Sequence, residues 1–252
     1  MNPDAVVRLV AARCLTYPDE KLYEELPLLR RASGIAPGGL AELRRASGGA
    51  PGGLAELRRA SGGAPDGLAG FLDHVERTPL LDLAAHYTDT FDTRNRRCLY
   101  LTWWTDGDTR RRGLSLVRIK RTYRAHGLEF DSDELPDFLP AALEFAALHE
   151  EPGTGLLQEH RAGLELLRLA LADAGTPYAG VLEAVCGTLP GPSPETKEEA
   201  KALARSGPPR ERVGLDPLGL DPLGIDPLGL EPRGPGVELP WPTTHRAERT
   251  PV

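Results

Sequence analysis

Cysteine, methionine and aromatic residues are all scarce in this chain: three Cys, one Met, and 6% Phe, Trp and Tyr together. Cys14, Cys98 and Cys186 lie far apart without a CxxC pair. That excludes a disulfide framework and fits buried, unpaired thiols in a reducing cytoplasm. No window approaches the roughly 18 uncharged apolar residues of a membrane span. Asp4, Arg8 and Arg13 interrupt the N-terminus where a signal peptide needs an apolar run. A basic balance is missing too, since 30 Lys and Arg face 37 Asp and Glu for a formal charge of -7. Bulk nucleic-acid binding is therefore disfavoured. These absences predict a soluble, cytoplasmic protein with no membrane insertion.

Catalytic signatures are absent as well. There is no Walker A loop, GxGxxG, HExxH or GxSxG pattern. The six histidines are scattered, and none pairs with another ligand type at metal-site spacing. His160 sits on an apolar face, the setting of a hydrogen-bonded core histidine. The residues point to a binding protein, not an enzyme.

What is present is helical periodicity, almost everywhere outside two repetitive stretches. Asp4 can cap a first helix with Val6, Leu9, Val10 and Cys14 on its apolar face, stopped at Tyr17-Pro18. Asp19 can start a short second one carrying Leu22 and Leu26. Leu68, Phe71, Leu72 and Val75 share one face. Thr78-Pro79 reads as an N-cap and first-turn proline for a helix with Leu83, Tyr87 and Phe91 inward. Further helices are predicted over residues 108–126 (closed by Gly127), 137–148 and 156–174, then after Thr176-Pro177 and after Ser193-Pro194 to about Ser206. The fold class is all-α, a single helical-bundle domain over residues 1–213.

The two exceptions are low in complexity. Three 14-residue units, Arg30–Leu43, Arg44–Leu57 and Arg58–Phe71, read RRASGxAPxGLAxx. Each offers too few large apolar side chains for a core, so residues 30–67 are expected to form a flexible insertion. The RRAS around Ser33, Ser47 and Ser61 resembles a basophilic kinase site, though the motif is too short to carry weight. From Gly214 to Val252, the series GLDPL, GLDPL, GIDPL, GLEPR places a proline after an acid at every fifth residue. That forbids helix and predicts a disordered tail.

Two segments are less bland. In the first, YTDTFD (Tyr87–Asp92) leads to LYLTWWTDGDTRRRG, ending at Gly113. Asp108 is a candidate N-cap for the helix that follows, and Arg110, Arg111 and Arg112 then crowd its first turn. Cations there oppose the helix dipole. They call for compensation by internal carboxylates such as Asp89, Asp92 or Asp106, or by an external anion. Arg118, Lys120, Arg121 and Arg124 extend the basic stripe along the helix. In the second, ELPDFLPAALEF (Glu134–Phe145), Asp137 is a plausible N-cap and Pro140 falls in the first turn. Glu134 and Asp137 would then form a stiff acidic corner beside a helix N-terminus.

These segments, with EHRAGLELLRLALADAGTPY and LEAVCGTLP downstream, resemble the NarJ family, the assembly chaperones of respiratory molybdenum nitrate reductase. The resemblance runs from about Leu68 to Gly214 and includes the first helices. It implies an all-α domain of the kind shared by molybdoenzyme maturation chaperones. The implied partner is the apo catalytic (alpha) subunit of nitrate reductase, bound through its N-terminal peptide, and also the alpha–beta complex before membrane docking. The molybdenum cofactor would be inserted into that client and not held stably here. Carried onto this sequence, the implied client-peptide positions are Tyr87, Phe91, Asp92, Asp108, Arg110, Glu134, Leu135, Pro136 and Asp137. Phe138 departs from the family, where ELPD commonly continues with His. The repeats from Arg30 have no family counterpart. Apart from the resemblance, the basic helix over 108–126 also permits a regulatory protein binding nucleic acid or phosphate ligands.

Overall fold

Capping side chains and close glycine contacts decide where this chain turns. The computed structural model describes residues 2–34, 66–93, 97–130 and 134–206, which fall within one compact unit, residues 1–209. Most of the repeat insertion, with Ser47 and Ser61, and the whole pentapeptide tail lie outside the described residues. Among the described residues there are eleven helices and a single isolated β-bridge. The all-α expectation holds.

Helix α1 spans Pro3–Leu15 and α2 spans Glu20–Ala32. Asn2, and not Asp4, caps α1, its side chain accepting the Asp4 N–H at 3.1 Å. Asp19 caps α2 as expected, accepting from Leu22 N–H at 3.0 Å. Its carboxylate also pairs with Arg13, which reaches Glu25 at 2.6 Å and ties the α1–α2 corner. α2 is longer than the short helix expected. It passes Pro27 and takes in Arg30, Arg31 and Ala32, the first residues of the first repeat unit. Arg30 is buried against Asp73 at 2.6 Å and Glu76 at 2.9 Å. Ser33 is buried too, its hydroxyl donating to Leu29 O at 2.8 Å.

Helix α3, Asp66–Arg77, begins on the last six residues of the third unit. The insertion expected over residues 30–67 is therefore corrected at both edges. Its ends are folded, one closing α2 and the other opening α3.

The remaining helices are α4 (Leu80–Phe91), α5 (Leu101–Asp106), α6 (Arg110–Ala125), α7 (Leu139–Leu148), α8 (Glu150–Glu159), α9 (Arg161–Asp173), α10 (Tyr178–Gly187) and α11 (Lys197–Ser206). Thr78 and Thr176 do not cap α4 and α10. Thr78 donates to His74 O at 2.7 Å, and Thr176 meets His86 Nε2 at 3.0 Å. The single helix expected over 156–174 is broken at His160, whose φ of -100° and ψ of 13° leave the helical region. Two glycines account for the break. An added Cβ on Gly153 would lie 2.2 Å from Ala146 Cα in α7, whereas one on Gly163 would lie 2.5 Å from Trp104 Cβ in α5. Each half thus beds against a different neighbour. A third such crossing joins α3 to α10, where a Cβ on Gly180 would meet Gly67 Cα at 2.5 Å.

The core collects Leu15, Leu22, Leu72, Leu83, Leu143 and Leu157, all at most 1% exposed. Running through it is Arg8, itself 1% exposed. Its Nε donates to Thr188 Oγ1 (3.1 Å), Nη1 to Ala146 O (3.0 Å) and Thr154 Oγ1 (2.9 Å), and Nη2 to Thr188 O (3.1 Å). Burial lowers its pKa, opposed by Asp4 and Glu150. On α9, Arg161 and Arg168 flank the buried Glu165 and donate to carbonyls of Pro190, Gly191, Pro192 and Pro194. Prolines have no N–H with which to build a turn, so guanidinium groups hold this loop instead.

Two sets of outcomes are expected, one for glycine positions and one for pH. Gly180→Ala should cost about 2 to 3 kcal/mol by forcing apart α3 and α10, measured as a drop in ΔG from urea unfolding. Gly155→Ala, in a helix with nothing within 4 Å of its Cβ, should gain about 0.5 to 1 kcal/mol. The second set concerns pH. Burial depresses the pKa of His74, His86 and His160. Below their unfolded values near 6.5 the unfolded chain takes up protons that the fold resists. Stability should be retained above about pH 6.5 and fall as pH drops toward about 5. A thermal-melting series should show a smaller fall in the His74→Asn/His86→Asn variant.

Candidate functional site

The two singled-out segments meet. Residues 99–101 and 137–139 form a short antiparallel contact, with Leu101 N–H donating to Asp137 O at 2.9 Å and Leu139 N–H to Leu99 O at 2.8 Å. Between them Tyr100 bridges Phe138, their rings 5.7 Å apart. Two backbone bonds thus fix the Glu134–Asp137 turn to the start of α5, the helix formed by LTWWTD. Sequence periodicity did not reveal that helix, because six residues are too few to show it.

At the centre lies Asp137, 0% exposed. Its Oδ2 accepts from Thr102 N–H at 3.2 Å and from the Thr102 hydroxyl. Arg112 closes the group, with Nη2 3.7 Å from Asp137 Oδ2 and Nε donating to Thr102 Oγ1 at 3.2 Å. The guanidinium also stands over the rings of Tyr100 (5.6 Å) and Trp103 (6.0 Å), a cation–π arrangement that suits arginine. Tyr123 on α6 donates its hydroxyl to Pro136 O at 2.9 Å. α6 is thereby held against the turn by two side chains, Arg112 and Tyr123.

This geometry corrects the acidic corner. Asp137 caps α5 from a distance in sequence and does not cap α7, whose N-cap is Phe138 without a side-chain bond. A fully buried carboxylate committed to Thr102 and Arg112 is not offered to a partner. Glu134 is different. It is half-buried, and its Oε1 accepts from the Tyr100 hydroxyl at 2.8 Å and from Leu135 N–H at 3.1 Å. Leu135 is 38% exposed and Pro136 is buried. Burial, followed by the bond to Glu134 and the charges of Glu134 and Asp137, pushes the Tyr100 pKa well above its ordinary value. Its proton therefore stays in place across physiological pH, and the Tyr100–Glu134 bond with it.

The other sequence-derived positions divide. Tyr87 and Phe91 are core residues: Tyr87 donates to Leu15 O at 3.0 Å, and the Phe91 ring lies 4.8 Å from Tyr178. Both are buried and line no surface, and burial, then Asp92, Tyr100 and Glu134, raises the Tyr87 pKa. Asp92 is exposed at the C-cap of α4. Asp108 is exposed and caps nothing, since the N-cap of α6 is Thr109, without a side-chain bond. Arg110 is exposed, with no ion pair among the described residues. The conflict of three arginines at the start of α6 pointed correctly to a carboxylate, but the acid is Asp137 and the arginine Arg112, not Asp89, Asp92 or Asp106. The roles of Thr102, Tyr100 and Tyr123 were missed. These are ordinary residues whose roles exist only once chain 34, 35 and 13 residues away has folded back onto Tyr100, Thr102 and Tyr123 respectively.

Residues 55–184 match the family model described as nitrate reductase delta subunit. Over 118 residues, 46% of the chain, it is 44% identical to a nitrate reductase-like protein NarX of Mycobacterium tuberculosis. It is 34% identical over 110 residues, 43% of the chain, to the nitrate reductase molybdenum cofactor assembly chaperone NarJ of Escherichia coli. With the "Probable nitrate reductase molybdenum cofactor assembly chaperone NarJ" of Bacillus subtilis it shares 33% over 108 residues, 42% of the chain. In each case the match spans less than two thirds of the relative: 18%, 47% and 59% respectively.

Removing the buried carboxylate should damage the fold itself. Asp137→Ala leaves Thr102 and Arg112 unpaired and should cost about 2 to 3 kcal/mol. Asp137→Asn, which keeps an acceptor, should cost less. In a double-mutant cycle read by urea unfolding, Arg112→Ala and Asp137→Ala should be less than additive.

Proposed function

The chain belongs to the nitrate reductase delta subunit family, the family of NarJ, and from that membership we propose that it is a system-specific chaperone of nitrate reductase assembly. It binds the apo catalytic subunit through that subunit's N-terminal peptide and keeps it open for insertion of the molybdenum cofactor. It holds the alpha–beta complex until that complex docks at the membrane, then leaves. The cofactor is cargo delivered to the client. The chaperone works in the cytoplasm and performs no bond chemistry.

The observation that carries this reading is the turn at Glu134–Phe138, pinned by two backbone bonds beside Tyr100 and Trp103 with Leu135 outward. A rigid ledge bearing one aliphatic side chain, neighbouring aromatics and a carboxylate is suited to an amphipathic peptide with basic residues on one edge. Apolar anchors supply affinity and the carboxylate supplies orientation. Within this reading Glu134 and Leu135 touch the client. Pro136 and Asp137 hold the ledge in position, and Tyr87 and Phe91 are core residues. Asp92 and Asp108 are exposed and serve as rim contacts, whereas Arg110 lies on the outer face of α6.

A fluorescently labelled N-terminal peptide of the catalytic subunit should bind the purified chain saturably. Leu135→Asp and Glu134→Lys should each weaken binding about tenfold or more, about 1.4 kcal/mol, with the melting temperature unchanged in Leu135→Asp. Wild-type affinity in both variants would place the peptide elsewhere. Failure to capture either the peptide or the apo catalytic subunit from the native cytoplasm would overturn the function.

A further inference from the structure

Helix α6 departs from the electrostatics of the whole molecule. Between Arg110 and Arg124 it carries seven Lys and Arg side chains and no Asp or Glu, in a chain of formal charge -7. Part of that charge is used within the fold. Arg112 turns inward to Asp137, Arg118 meets Glu159 at 3.0 Å, and Arg124 lies 3.8 Å from Glu129. Arg110, Arg111 and Lys120 have no ion pair among the described residues. On the same outer face Leu114 and Val117 are 60% and 52% exposed. They are three residues apart and so form one apolar spot. Arg110 lies four residues before Leu114 and Arg121 four after Val117, so cations bracket the spot along the axis. The inner face, with Ser115, Ile119 and Tyr123, is buried.

We propose that the outer face of α6 docks an acidic amphipathic helix of a protein partner, one whose apolar residues recur every three or four positions between Asp and Glu. Charge complementarity selects the sign of the partner. The apolar spot selects its class: an aliphatic pair at helical spacing fits the ridge of another helix. A phosphate backbone would leave Leu114 and Val117 without a counterpart. A bilayer surface calls for a broader apolar face with bulky side chains, and only two aliphatics stand among these cations. The surface lies on the opposite side of α6 from Arg112 and Tyr123, which serve the Glu134–Phe138 ledge. It is independent of the client-peptide reading.

The test uses the full chain and a labelled synthetic helical peptide of Leu and Glu, with Leu at i, i+3, i+4 and i+7. The same peptide with Lys for Glu serves as control. Fluorescence anisotropy should show saturable binding of the Glu peptide that weakens from about 50 to about 200 mM salt, and none of the Lys peptide. Leu114→Ser/Val117→Ser and Arg110→Glu/Arg111→Glu should each weaken it about tenfold, the second pair also flattening the salt dependence. These side chains are exposed, so melting temperatures should not move. The proposal fails if the Glu peptide does not bind or if both variants bind it like wild type. It also fails if a short DNA duplex or phosphatidylserine vesicles bind through these residues more tightly than the peptide.

Discussion

A guanidinium removed from water must find acceptors for its N–H groups, and the position of Arg8 makes that demand the fulcrum of the bundle. Its acceptors are the carbonyl of Ala146 in the last turn of α7, the Thr154 hydroxyl on α8, and the carbonyl and hydroxyl of Thr188 at the C-cap of α10. Carbonyls at helix C-termini lack intrahelical donors and sit at the negative end of the dipole. One cation therefore settles two helix ends at once and locks α1, α7, α8 and α10 into one relative placement. Truncating it would leave those ends unsatisfied in a dry interior, a larger loss than that of any single contact. Such solutions recur here: Arg161 and Arg168 hold the proline loop after α10, and Arg30 joins α2 to α3.

The ledge at Glu134–Phe138 depends on the same economy of buried charge. Because Asp137 is buried and engaged through Oδ2 by Thr102 and Arg112, its role is geometric, and the chemistry left at the surface belongs to Glu134, Leu135 and the neighbouring aromatics. Shape is provided by the interior and selectivity by the rim. This division explains how a loop, usually the most mobile part of a fold, can present a fixed surface: backbone bonds on one side and the Tyr123 hydroxyl on Pro136 on the other leave it few alternatives.

Much of the fold was legible in the sequence, because amphipathic spacing such as Leu83, Tyr87 and Phe91 is a local signal that burial obeys directly. The misreadings share one origin. Thr78, Asp108 and Asp137 are all good capping residues by type, yet each was claimed by another partner or left exposed, since tertiary contacts override local preference. The break at His160 was invisible for a related reason: Gly153 and Gly163 look like ordinary helix glycines until Ala146 and Trp104 arrive against them. At the site, sequence reasoning recognised that the arginines at the start of α6 needed an acid. It could not choose among acids, because the pairing crosses 25 residues of chain. The roles of Thr102 and Tyr100 were not legible, because their partners lie 35 and 34 residues further along the chain.

The repeat units bear on how this gene can vary. The first unit's Arg30 is anchored on Asp73 and Glu76, and the last unit's Gly67 lies against Gly180. A whole unit added or lost between these two ends leaves α2 and α3 the residues on which they stop and start. Loop-closure entropy changes only with the logarithm of length, about 0.6 kcal/mol per doubling. Whole-unit changes between these anchors therefore spare the contacts that join α2 to α3 and α3 to α10.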